Sequence, residues 1–195
     1  MGIVYGENIT DESYENLCFP IFETLSTKLA QIKAAPDKII VIITEQSEIF
    51  PDSERKRSKK CPYWQDTCTL QEIFKLYFQK KFTKTKLEFC ELKPTINNKG
   101  LDDWNNTLSL VQGSLANLEF NSNDTIYVSH QAGTPAISSA IQFMSLAKFG
   151  KQVKFLVSSE YNQSYTDIIP SSNYLRAIQL QEAKALLERN MTMLV

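Results

Sequence analysis

Asp124-Thr125-Ile126-Tyr127-Val128-Ser129-His130-Gln131-Ala132-Gly133-Thr134-Pro135 reads as a strand, a polar turn and the opening of a helix. The apolar centre of 124–129 suits a buried strand. Thr134 is a helix N-cap, and Pro135 falls at the first helical position, where its missing N–H costs nothing. Ile137, Ala140, Ile141, Met144 and Ala147 then mark one helical face, and Gly150 stops the helix. A strand delivering the chain directly into a helix is the repeating unit of α/β folds.

The same unit recurs outward from this stretch. Lys38 to Thr44 holds a continuous β-branched run that suits a strand buried on both faces of a parallel sheet. Before it, Tyr14, Leu17, Ile21, Leu25, Leu29 and Ile32 step by three or four over Ser13–Lys33; Pro20 predicts either a kink or a later start. Gly2 to Gly6 looks like a strand tail. Thr69 and Glu72 form a capping box before the stripe Leu70, Ile73, Phe74, Tyr77 and Phe78. Leu87 and Phe89 alternate in a short strand ended by Pro94. Trp104, Leu108, Val111, Leu115 and Leu118 mark a strongly amphipathic helix, with Trp104 expected in the core. Val153–Val157 is a strand, Ser158–Ser172 a polar loop, and a final helix runs from Asn173. The alternation predicts a three-layer, Rossmann-like α/β domain with a mostly parallel central sheet and right-handed crossovers.

Composition narrows the function. The 195 residues fit one domain with a sizeable core. Lys+Arg number 21 and Asp+Glu 22, so the net charge of −1 argues against a duplex nucleic-acid binder but permits a small anionic ligand. No run of 18 apolar residues predicts a transmembrane helix, and Met1–Thr10 lacks the marks of a signal peptide. Cys18 and Cys90 read as core residues. Cys61 and Cys68, with one histidine in the chain, do not make a zinc set. The expectation is a cytoplasmic protein without metal or cofactor. Both ends look cut: residues 1–172 read as the domain, and 173–195 as a helix leading toward a missing effector domain.

Ligands of open α/β sheets bind outside the C-terminal ends of strands. Four junctions qualify: Gly6-Glu7-Asn8, Thr44-Glu45-Gln46, Ser129–Pro135 and Ser158-Ser159-Glu160. The third is the sharpest. Gly133 permits positive φ or close backbone approach to a ligand. The first-turn N–H groups and the helix dipole suit an anion or phosphate. Ser129, His130, Gln131 and Thr134 add side-chain donors beside Ala132 and Pro135; Asn8, Thr44 and Glu45 are candidates from the other junctions. Alternatively, Gly, Thr and Pro serve only the geometry of the turn.

Ser-x-x-x-Gly-Thr-Pro-x-x-x-Ser-Ala after a buried strand resembles the signature of CARF domains, the CRISPR-associated Rossmann-fold sensors of type III antiviral systems. Ile137 stands where that family often has Met, and Gly6-Glu7-Asn8 departs from its usual first junction. The resemblance implies a homodimer that binds a cyclic oligoadenylate, tetra- or hexa-adenylate, across its two-fold axis, with a fused effector nuclease. It also implies the alternative of a ring nuclease, in which a ribose 2′-hydroxyl attacks the adjacent phosphate without metal. His130 is then the candidate catalytic residue, although it could equally only bond ligand or backbone. An unrelated Rossmann-like nucleotide-binding enzyme is the remaining reading, weakened because no Gly-x-Gly-x-x-Gly or Walker motif follows a strand. Arg55–Lys60 could reach phosphates or be solvated. Tyr63 and Trp64 could stack on adenine or anchor their loop. Glu160, Tyr161 and Tyr165 could line the pocket or a dimer face.

Overall fold

The computed structural model describes residues 19–50, 53, 66–95, 99–159, 162 and 165–192, with side chains described as far as 187. The readings of Gly2–Gly6, Asn8, Cys18, Arg55–Lys60, Cys61, Tyr63, Trp64, Glu160 and Tyr161 lie outside these residues.

Helix α1 spans Pro20–Gln31, with proline at its first turn and Phe19 non-helical before it, so the later start holds. Strand β1 is Lys38–Thr44, the bounds expected from its β-branched run. Helix α2, Gln71–Lys81, follows a short 3-10 turn at Cys68–Leu70. That turn displaces the expected capping box: Thr69 Oγ1 is buried without a partner, and no side chain caps α2. Strand β2 is Lys86–Leu92, and helix α3 is Trp104–Ala116. Strand β3 is only Ile126–Val128, and helix α4 is Pro135–Phe149. Gly150 ends α4 at φ +52°, a conformation that favours glycine. Strand β4 is Val153–Ser158, and helix α5 is Ser172–Thr192, one residue earlier than expected. The stretch read as a polar loop contains a further strand, β5, at Thr166–Pro170.

The described strands form two small sheets. In one, β1 pairs parallel with β2, from Lys38 opposite Lys86 to Thr44 opposite Leu92. In the other, β4 pairs parallel with β3 and antiparallel with β5. The molecule is therefore α/β, with one parallel and one mixed sheet. Among the described residues β1 is paired on one edge only; most of its apolar run is partly buried, and Ile43 is fully buried.

One core nevertheless touches both sheets. Leu92, Leu101, Val111, Leu115, Ile137, Ala140 and Ile141 form it, and Ile42 of β1 and Val128 of β3 pack against it. Lys148 of α4 donates to the carbonyls of Leu115 and Ala116, placing a cation at the C-terminal end of α3. A second cluster joins α1 to α2. Phe22 lies 5.3 Å edge-to-face from Phe74, and Glu23 accepts from the Tyr77 hydroxyl and from Lys81, each at 2.9 Å. A third gathers Leu146, Val153 and Phe155 under Tyr174 and Leu175 of α5. Beyond those anchors, α5 is exposed from Arg176 to Leu187.

Trp104 is 58% exposed, not core. Its spacing puts it on the apolar face of α3, but it is the first residue of the helix, and the fully buried part of that face starts at Thr107 and Val111. Cys90 is half-buried. No described helix is long and apolar enough to cross a membrane.

Candidate functional site

Thr134 and Pro135 form the start of α4 that the sequence predicts. The Thr134 hydroxyl accepts from the Ile137 N–H at 3.3 Å, and proline occupies the first turn. The same hydroxyl donates to the Leu101 carbonyl at 3.2 Å. Gly133 is required for a different reason from the one its sequence suggests. Its φ is not positive; instead a Cβ there would stand 2.8 Å from Cγ2 of Ile137. Ser129, Gln131, Ala132, Gly133, Thr134 and Pro135 are all exposed, at the C-terminal end of β3.

Gln131 is less free than an exposed amide suggests. Its Oε1 accepts from the Ser158 N–H at 2.6 Å, and its Nε2 donates to the Ser158 carbonyl at 3.1 Å. The amide thereby satisfies both backbone groups of the last residue of β4, as a neighbouring strand would. The Ser158 hydroxyl also lies 3.3 Å from Thr24 Oγ1 of α1 and 3.2 Å from Thr166 Oγ1 of β5. Gln131 thus joins the turn to a cluster of hydroxyls drawn from three elements.

His130 is half-buried. Its Nδ1 lies 2.9 Å from Ser138 Oγ, and its ring meets Phe155 edge-to-face at 5.5 Å. Burial holds its pKa below the ordinary histidine value, so the ring is neutral near pH 7.

At the C-terminal end of β1 the candidate groups are engaged. Thr44 and Thr67 exchange backbone and hydroxyl bonds: the Thr44 N–H donates to Thr67 Oγ1 at 2.9 Å, and the Thr67 N–H donates to Thr44 Oγ1 at 3.0 Å. Glu45 pairs with Lys93 at 3.1 Å and accepts from the Ser47 N–H at 2.7 Å. Burial pushes the Glu45 carboxyl up, but these partners outweigh it and hold its pKa low. Buried Gln46 receives the Leu101 N–H on Oε1 at 2.8 Å, and donates its own N–H and Nε2 to Asp66 at 2.7 and 2.9 Å. Desolvation dominates at Asp66 and raises its pKa despite those bonds. Leu101 therefore connects the two junctions, bonded to Gln46 through its N–H and to Thr134 through its carbonyl.

An open hollow of about 410 Å³ lies at the start of α3, lined by Lys99, Asp102, Asp103, Trp104 and Asn105. It is a poor anion site. The Asp103 carboxylate already caps α3 by accepting from the Asn106 N–H at 3.0 Å, and it also pairs with Lys99 at 3.0 Å. Two carboxylates face one lysine there. Among the described residues no three His, Cys, Asp or Glu side chains are grouped to hold a metal ion.

Ser158 begins the fourth junction read in the sequence; the hydroxyls that join it or His130, namely Ser138, Thr24 and Thr166, carry no signal there. No family model, curated protein or solved structure matches this chain.

Proposed function

We propose that this chain is the sensor domain of a type III CRISPR antiviral protein, and that it binds a cyclic oligoadenylate, tetra- or hexa-adenylate. The observation that carries the reading is the exposed turn Ser129–Pro135 at the end of β3, opening into α4 through a Thr134 cap and Pro135. Such a turn offers a phosphate the positive end of a helix dipole and first-turn N–H groups. The motif's resemblance to CARF domains supplies the ligand class. A symmetric ring fits a homodimer that presents the same donors to each half. A fused effector nuclease beyond α5 and a cytoplasmic setting belong to the same proposal.

The finer fold reading is one three-layer, Rossmann-like domain. It is supported by a single core contacting β1, β2 and β3.

The ring-nuclease reading has its own support. His130 is neutral near pH 7 and oriented through Nδ1, as a general base for the 2′-hydroxyl would be. Incubating the purified chain with each ring separates the readings. Binding with intact ligand supports the sensor, and linear products ending in 2′,3′-cyclic phosphate support the nuclease. Binding of neither ring, with saturable binding of ATP or NAD, would favour an unrelated nucleotide-binding enzyme.

A further inference from the structure

Gln46 and Asp66 are each only 5% exposed, and Gln46 is bonded through both backbone groups and both amide atoms. Its carbonyl accepts from the Ile49 N–H at 3.0 Å, its N–H and Nε2 take the two oxygens of Asp66, and its Oε1 accepts from the Leu101 N–H. A backbone N–H can only donate, so Oε1 must face Leu101 and Nε2 must face Asp66. The next links are as strict. The Leu101 carbonyl can only accept, so the Thr134 hydroxyl donates to it, and the Ile137 N–H donates to the Thr134 oxygen. One directed chain therefore runs from Asp66 through Gln46, Leu101 and Thr134 into the first turn of α4, joining residues 20, 55 and 33 positions apart. Glycine at 100 lets the loop come this close: a Cβ there would stand 3.1 Å from Gln46 Oε1 and 3.0 Å from Asp102 Oδ1. Leu101 is 2% exposed, so water does not readily replace a link that is broken.

We propose that Gln46 is a positioning residue for the turn Ser129–Pro135: through Leu101 it sets where Thr134 stands, and with it the first-turn N–H groups of α4. The end of β1 then serves the site by holding the turn rather than by touching the ligand. That accords with Thr44 and Glu45 being engaged by Thr67 and Lys93. The consequence for binding rests on the reading of that turn as the ligand site. Backbone N–H groups cannot swing toward a phosphate as a side chain can, so their affinity for it depends on how the helix start is placed. Asp66 supports the arrangement from behind, since both its oxygens receive donors of Gln46 and keep the amide from turning over.

Gln46→Met keeps the length of the side chain and removes its amide. Urea unfolding compares it with Thr134→Ala and with the double variant. Because both residues act on Leu101, the unfolding constant of the double variant should fall short of the product of the two single changes by about 3- to 10-fold. A product reproduced to within about 2-fold, the scatter of independent sites, would overturn the proposal. Should Gln46→Met not fold, Gly100→Ala, which crowds Oε1, takes its place in the cycle with the same expectation. The Ile137 amide signal in the ¹⁵N–¹H NMR spectrum should move in Gln46→Met and stay in place in Ile73→Val, which weakens the separate α1–α2 cluster; an unmoved signal in folded Gln46→Met would contradict the positioning role. Affinity for cyclic tetra- and hexa-adenylate is measured on the same proteins. Gln46→Met should weaken binding about 10-fold, the worth of one hydrogen bond to a charged oxygen, and Ile73→Val should not. Native affinity in folded Gln46→Met would overturn the role in binding. If Gln46 and Thr134 are coupled but the native chain binds neither ring, the positioning of the turn stands and the sensor reading falls.

Discussion

The Thr134 hydroxyl reaches the Leu101 carbonyl at 3.2 Å while it caps α4 through the Ile137 N–H. One side chain thus starts the helix behind the candidate phosphate turn and ties that turn to the loop before α3. Thr134→Ala removes both bonds. The expected loss is about 1–2 kcal/mol, the upper part of the range for an N-cap threonine, in a chain that still folds. Urea unfolding of the two proteins measures it. A bulky residue at 134 should also weaken ligand binding in a folded protein, and unchanged affinity there would contradict the placement of the turn at the site.

Gly133 owes its identity to Ile137. A Cβ at 133 would lie 2.8 Å from Cγ2 and 3.0 Å from Cβ of Ile137. Gly133→Ala should cost about 1–3 kcal/mol through overpacking. Ile137→Leu moves the branch away from Cβ, so in the double variant part of that cost should disappear. A double-mutant cycle reads the coupling, and strict additivity would show that the two residues do not collide.

The half-buried His130 ring makes stability depend on pH in a defined direction. Burial holds its folded pKa below the unfolded value near 6.5. The unfolded chain therefore binds the proton more readily. The contribution of the neutral ring is fully present above the unfolded pKa and is lost as pH falls through it toward the folded pKa. Glu23, Glu45 and Asp103, whose pKa values are lowered, lose their contributions at more acidic pH. The difference in unfolding free energy between native chain and His130→Gln should accordingly shrink as pH falls through the window just below 6.5. A difference independent of pH would count against a ring held neutral by partial burial.

Thr107 sits fully buried in α3, and its hydroxyl has no hydrogen-bond partner. An unsatisfied buried hydroxyl costs about 1–3 kcal/mol, so Thr107→Val, which keeps the branched shape, should stabilise the fold by about 1 kcal/mol. Thermal unfolding would register it as a raised midpoint.

The elements with strong local signals were legible in the sequence. The β-branched run set β1 from Lys38 to Thr44, and Thr134, Pro135 and Gly150 marked both ends of α4. Periodicity reported which face of α3 is apolar but not how far its neighbours extend, so Trp104 was misread. Strand β5 escaped notice because it is short and follows polar residues, and its pairing with β4 is visible only in three dimensions. The site is contiguous where it lies on one turn and could be read there. The partners that occupy Thr44 and Glu45, namely Thr67 and Lys93, lie more than twenty residues away and carry no spacing signal. Ser138 was hidden for another reason. A serine within a helix has no pattern of its own, and its meeting with His130 depends on how β3 delivers the turn to α4.

The most direct test of the account is calorimetric titration of the purified chain with cyclic tetra-adenylate and with cyclic hexa-adenylate, alongside light scattering for its oligomeric state. Saturable binding of one ring per two chains, weakened by a bulky substitution at Thr134, is the expected result. A monomer that binds neither ring at tens of micromolar would contradict it.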